Sequence, residues 1–181
     1  MTGALTFGPV GPRTRFGLKG PAAAEWLAAQ GLPVPATANS WVENGDGPHS
    51  AILVARLGTG EFFLEDRAAG STLERIAPLP EAHPPGVYPV LRQDSAFVLA
   101  GEGSLEVLAQ VCNVNFAELA PDARGLIMTL MIGVSVLVVP QGARGARRLR
   151  IWCDPTLGPY LGESVGAVVV DCGGQLKGES G

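Results

Sequence analysis

An α+β fold is what this sequence predicts, and three observations predict it. The first is an internal repeat: residues 15–31 read RFGLKGPAAAEWLAAQG and residues 96–112 read AFVLAGEGSLEVLAQVC. Phe16, Leu18, Gly20, Leu27 and Ala28 match Phe97, Leu99, Gly101, Leu108 and Ala109 at one constant shift, 97 − 16 = 81. The second is a change of period inside each copy, from the alternation of a half-buried strand to the three- and four-residue spacing of a helix facing a sheet. The third is the stretch PLPEAHPPGVYP at 78–89, with five prolines in twelve residues. Proline removes backbone donors and restricts its predecessor, so this stretch sustains neither a helix nor a central strand.

In chain order, TFGPV near the N-terminus is a weak strand candidate, and Phe16 and Leu18 define the first clear strand. Ala23, Trp26, Leu27 and Gln30 then form a helical stripe. Pro21 suits the first turn, where a missing N–H costs nothing, and Gly31 is placed to end the helix. SAILVARLG, a turn around Gly58 to Gly60, and EFFLEDR read as two paired strands, followed by a helical STLERIAP. The second half repeats the order. Phe97 and Leu99 make its strand, and Leu105, Leu108, Ala109 and Cys112 its helical stripe. TLMIGVSVLVVP is expected to pair across QGARGA with RRLRIWCD. TLGPYLGESVG is expected to be a helix weakened by Gly158, Pro159 and Gly162, and AVVVDC at 167–172 a closing strand.

Strand, helix, strand, strand, helix, with a further strand, is the split β-α-β order of ferredoxin-like domains. The expected architecture is therefore two tandem ferredoxin-like halves. Residues 1–77 form the first, 78–89 a linker, 90–172 the second, and 173–181 a flexible tail. Two such halves leave their helix-free sheet faces to pack on each other or on a partner.

Composition narrows the function. The chain has 181 residues, 46% of them hydrophobic and 17% charged, with a net charge of −4, which fits neither a nucleic-acid binder nor a disordered chain. A positive mean hydropathy with so few charges points to apolar surface covered by another protein. MTGALTFGPV lacks the basic start and apolar core of a signal peptide. The longest apolar run, 126–139, is too short to span a bilayer. The expected location is cytoplasmic. Cys112, Cys153 and Cys172, without a CxxC pair, read as reduced thiols.

No catalytic residue emerges. GEGSLE at 101–106 follows a strand and opens a helix as a dinucleotide loop does, but Glu106 stands where the third glycine is needed. The repeat accounts for Gly101 without a ligand. His49 and His83 stand at no metal-ligand spacing, so no metal site is expected. Arg144, Arg147, Arg148 and Arg150 form a basic cluster able to clamp an anionic tail such as a folate polyglutamate, with Arg147 and Arg148 the folate candidates. The alternatives are a solvated hairpin loop and a subunit interface, for which Trp41, Trp152, Arg144 and Arg150 are the candidates. Asp154, before Pro155, reads as a helix cap or turn former.

RFGLKGPAAAEWLAAQGLPVP, EFFLED, AFVLAGEGSLEVLAQVCNVNF and RLRIWCDPTLGPYLGESV together resemble the gamma subunit of heterotetrameric sarcosine oxidase. More distantly they resemble the N-terminal folate-binding region of the glycine cleavage T-protein, here without its C-terminal barrel. The resemblance runs over roughly residues 14–166. It implies a noncatalytic small subunit packed on the large flavin- and folate-bearing subunit of an amine oxidase complex. That complex would demethylate sarcosine or a related N-methyl amine and pass the one-carbon unit to tetrahydrofolate. FAD, FMN, NAD and tetrahydrofolate would then belong to partner subunits. The competing reading is a stand-alone folate-binding aminomethyltransferase-like protein.

Overall fold

A computed structural model describes residues 3–43, 52–66, 72–76, 83–118, 124–142 and 148–178. Its strands are β1 (Thr6–Pro9), β2 (Arg15–Lys19), β3 (Ser40–Glu43), β4 (Ile52–Gly58), β5 (Glu61–Asp66), β6 (Tyr88–Leu91), β7 (Ser95–Ala100), β8 (Ile127–Met131), β9 (Val134–Gln141), β10 (Arg148–Cys153) and β11 (Gln175–Leu176). Its helices are α1 (Ala23–Ala29), α2 (Thr72–Ile76), α3 (Ser104–Val111) and α4 (Gly158–Asp171). Mixed strands and few helices make it an α+β protein.

The chain divides into a contiguous unit, Arg13–Gln93, and a discontinuous one, Met1–Pro12 with Asp94–Gly181. This corrects the expected division at 77 and 90. Residues 88–91, expected at the end of the linker and the start of the second half, are β6. That strand pairs antiparallel with β2 and completes the contiguous unit. Pro89 is tolerated there because, among the described residues, β6 is an edge strand of its sheet. The N-terminal TFGPV, a weak candidate by sequence, is a central strand of the other unit.

The contiguous unit has the sheet order β3-β4-β5-β2-β6, all antiparallel. Phe16, Leu18, Ile52, Val54, Phe62 and Leu64 point to one face, where Ala23 and Leu27 of α1 and Leu73 of α2 cover them. Trp26, expected in the core, is half-buried at its margin. Arg56 ties the segment after α1 to the β4–β5 turn. Its Nη1 donates to the carbonyls of Pro35 and Ala36, both at 3.0 Å, and its Nη2 to that of Thr59 at 2.6 Å. The guanidinium lies 5.4 Å from the Phe62 ring centroid.

The discontinuous unit has the order β11-β1-β7-β10-β9-β8. Phe7, Phe97, Leu99, Leu149, Ile151, Val136 and Val138 share a core with Val107, Leu108 and Val111 of α3 and Leu161, Val165 and Val169 of α4. The buried positions of α3 are Ser104, Val107, Leu108 and Val111, so the helix is rotated from the expected stripe and Ala109 is exposed. Val10 N donates to Ala96 O at 2.8 Å. The chain therefore leaves after Pro12 and returns at Asp94 beside the same end of the β1–β7 ladder.

Two further expectations are corrected here. TLMIGVSVLVVP is not one strand but the hairpin β8–β9, turning at Ile132 and Gly133 with φ of 49° and 79°. Two successive positive φ values make the two-residue turn whose twist matches paired strands. Isoleucine is a poor resident of that region, so the sequence carries no turn signal. AVVVDC is the end of α4, not a strand. Its valines favour strands locally, but Leu161, Val165 and Val169 recur at four-residue spacing and all are buried, so packing overrides propensity. The expected flexible tail begins with β11, which pairs parallel with β1.

Candidate functional site

The buried ionic chemistry of the contiguous unit follows from strand register. β2 and β5 place Arg15 directly opposite Glu65, and Arg15 Nε donates to Glu65 Oε2 at 2.6 Å. Side-chain exposure is 8% for the arginine and 0% for the glutamate, so the pair is withdrawn from solvent. Arg15 and Glu65 alternate with Phe16 and Leu64, which face the helices, so the ion pair occupies the opposite face. Arg92 lies 5.5 Å from the Phe63 ring centroid. This pair was not legible beforehand, because β2 and β5 are separated in sequence and nothing in RFGLK or EFFLED specifies their register.

In the discontinuous unit, Arg150 and Trp152 alternate with Leu149, Ile151 and Cys153, which face the helices. Arg150 lies 5.0 Å from the Trp152 ring centroid. Arg150 is 2% exposed, Trp152 1% and Trp41 8%, so these interface candidates are enclosed in the chain and offer little area to another protein. Arg148, the first residue of β10, is exposed. Arg144 and Arg147 lie outside the described residues, as does His49. Arg148 and Arg150 share one face of β10, but Arg148 at its end is exposed while Arg150 is buried.

Burial, reinforced by the negative charges of Asp94 and Asp154, pushes the Cys153 thiol from 9.0 up to about 11. At neutral pH it is a protonated, enclosed thiol and a poor nucleophile. A maleimide at pH 8 should therefore label the half-buried Cys172 first and leave Cys153 unmodified until denaturant is added. Mass mapping that finds Cys153 modified as fast as Cys172 would refute this. The sign of the pH dependence follows: the thiol's stabilising contribution is complete below about 9 and is lost as pH rises toward about 11, because the unfolded chain ionises first.

Asp154 caps the short 3₁₀ turn Pro155–Leu157, as its sequence context predicted. It accepts hydrogen bonds from the Thr156 hydroxyl at 2.5 Å and the Thr156 N–H at 2.8 Å, which hold its carboxyl below the usual carboxylate range. His83 Nδ1 is 3.2 Å from the Pro84 carbonyl, and its ring meets Tyr88 edge-on at 5.6 Å. Among the described residues no group of three or more His, Cys, Asp or Glu could hold a metal ion. The buried Arg15–Glu65 pair lies in the contiguous unit, and the buried Arg150 lies against the Trp152 ring in the discontinuous one.

Exposed apolar side chains are the other notable feature. In the discontinuous unit they are Met128 and Leu130 of β8, Tyr160 and Val170 of α4, with Leu157 and Leu176 beside them. In the contiguous unit they are Tyr88 and Leu91 of β6. Met128 and Leu130, 53% and 57% exposed, sit on the terminal strand of the six-stranded sheet. No helix among the described residues is long and apolar enough to cross a membrane.

This fold is shared with solved structures of an oxidase and an aminomethyltransferase. The chain is similar to a chain of the heterotetrameric sarcosine oxidase from Corynebacterium sp. U-96, with a TM-score of 0.72 and 22% identity over 94% of this chain and 86% of that one. It is also similar to the glycine cleavage system aminomethyltransferase T from Bartonella henselae, with a TM-score of 0.62 and 16% identity over 97% of this chain. It spans 48% of that protein, about half its length. No family profile and no curated protein matches the chain.

Proposed function

We propose that this chain is a noncatalytic assembly subunit of a flavin-dependent, sarcosine oxidase-like complex. The complex demethylates an N-methyl amine and passes the one-carbon unit to tetrahydrofolate. The observation that carries the reading is coverage: the likeness takes in 94% of this chain and 86% of a chain from a heterotetrameric oxidase, but only 48% of the aminomethyltransferase. The exposed Met128, Leu130, Tyr160 and Leu91 support it, since apolar side chains at a surface favour a protein partner. In this reading FAD, FMN, NAD and tetrahydrofolate belong to partner subunits, and the complex is cytoplasmic.

The sheet orders β4-β5-β2-β6 and β9-β10-β7-β1 support treating each unit as a ferredoxin-like half. The fourth strand of the discontinuous one is supplied from the N-terminus. Together the two would correspond to the N-terminal region of a T-protein.

Co-expression with the large flavin-bearing subunit tests the proposal. The expected result is copurification at fixed stoichiometry through an interface above about 2,000 Å² in total, while this chain alone is colourless. A chain that remains a separate monomer in the presence of that subunit would overturn it. The second reading, a stand-alone folate-binding aminomethyltransferase-like protein, is favoured by the exposed Arg148 and by the likeness over 97% of this chain. Tetrahydrofolate titrated into the isolated chain distinguishes the two. Binding that is lost on replacing Arg147 and Arg148 supports the second reading.

A further inference from the structure

We propose that Gly173–Lys177 is a detachable strap that covers the outer edge of β1 and keeps that edge from pairing with a second copy of the chain. After α4 ends, Gly173 takes a φ of 77° and Gly174 N donates to Val169 O at 2.8 Å, turning the chain back along the sheet. Gln175 N then donates to Leu5 O at 3.0 Å and Lys177 N to Phe7 O at 2.8 Å, in parallel register with Thr6 and Phe7.

The seat for this strap is built into the strand and the helix beneath it. A side chain at Gly8 would collide with the Lys177 carbonyl, and the three nearest atoms to that position all belong to Lys177. A Cβ at Gly174 would lie 2.7 Å from Leu5 Cγ and from Val169 Cγ1. A Cβ at Gly166 of α4 would lie 3.3 Å from Leu176 Cδ2. Glycine at these places lets the strap backbone lie directly on β1.

The strap itself is lightly held. Gln175, Leu176, Lys177 and Gly178 are all exposed, Leu176 by 60%, whereas Leu5 and Phe7 beneath are 7% and 2% exposed. Segments with few buried apolar contacts open locally, at a free energy well below that of global unfolding. What the strap uncovers is a strand edge inviting a further strand. The occupant is a second copy, whose approach no charge opposes, since residues 3–10, GALTFGPV, carry none. Symmetric pairing sets like against like, and a charged strand would repel its own copy.

Native-state hydrogen exchange on the full chain tests detachment. The amides of Gln175 and Lys177 should exchange about 100-fold or more faster than those of β7, and their rates should not respond to low denaturant. Strap amides that exchange with β7 would overturn the proposal. Light scattering tests the guarding role on two variants, a chain ending at Cys172 and the full-length Gly8→Ala. Both should form larger species than the parent chain at concentrations up to about 100 µM. If truncation prevents folding, Gly8→Ala decides, because it acts on the seat and leaves the strap sequence intact. A folded Gly8→Ala with freed strap amides and the parent's mass would overturn the guarding role.

Discussion

Replacing Glu65 with alanine should lower the stability of the contiguous unit by about 3–5 kcal/mol, the cost of removing one partner from a buried ion pair. Glu65 has no exposed surface, and Arg15 Nε lies 2.6 Å from its carboxylate across the β2–β5 ladder. Once the carboxylate is gone, the guanidinium keeps its desolvation and loses the negative charge 2.6 Å from its Nε. The penalty belongs to breaking the pair and not to lacking one, so the double substitution Arg15→Met, Glu65→Leu should recover most of the loss. Replacing such a pair with apolar groups of similar volume is often neutral or stabilising. Urea denaturation of the parent, both single variants and the double variant measures this, with the midpoint shifting at constant slope. A loss under about 1 kcal/mol for Glu65→Ala would mean that the pair behaves as a solvated surface bridge.

Legibility in the sequence followed the range of the interaction that decides each feature. The β2–α1 and β7–α3 modules were readable because an apolar alternation, a glycine and a helical stripe lie within about twenty residues of one another. The Asp154 cap was readable for the same reason, since the residues it engages are its neighbours. The valine run ending α4 was misread because its local preference is for a strand, and only the core formed by Leu161, Val165 and Val169 reverses it. The assignment of β1 was misread because its partners, β7 and β11, lie roughly ninety and a hundred and seventy residues away. Among the site candidates, alternation along β10 predicted that Arg148 and Arg150 share a face. It did not predict that one end of that face is exposed and the other buried.

The corrected strand order makes the repeat deeper than its sequence signature. The pairings of β2 with β5 and β6 have counterparts in those of β7 with β10 and β1. The unit that appears second in sequence takes the strand paired with β7 on that side from the chain's beginning. Sequence matching at a fixed shift finds the strand and helix common to both. It has no means of finding a strand that lies on the other side of the repeat.

The glycines that open this symmetry should be the least replaceable in their turns. Gly20 and Gly101 have φ of 127° and 100°, and Ala23 N donates to Gly20 O at 3.3 Å as Ser104 N does to Gly101 O. A Cβ at Gly20 would strike the Gly86 carbonyl, and one at Gly101 the Ala4 carbonyl. Each carbonyl lies two residues before a strand that pairs with the repeated one, β6 with β2 in one unit and β1 with β7 in the other. Alanine at either position adds left-handed strain to a collision with backbone that has a ladder to hold, a combined cost of about 2–4 kcal/mol. Gly103 separates the two effects. Its φ is 88°, but the nearest atom to an added Cβ is Leu5 Cδ2 at 3.4 Å, an ordinary contact. Gly103→Ala should therefore cost only the strain, about 1–2 kcal/mol. Thermal or urea denaturation of the three variants orders them, and a Gly101→Ala no worse than Gly103→Ala would show that the turn needs glycine for its backbone angle alone. Loss of several kcal/mol at both Gly20 and Gly101 would mean instead that the repeated glycine is kept for close approach to the segment leading into the neighbouring strand, β6 or β1.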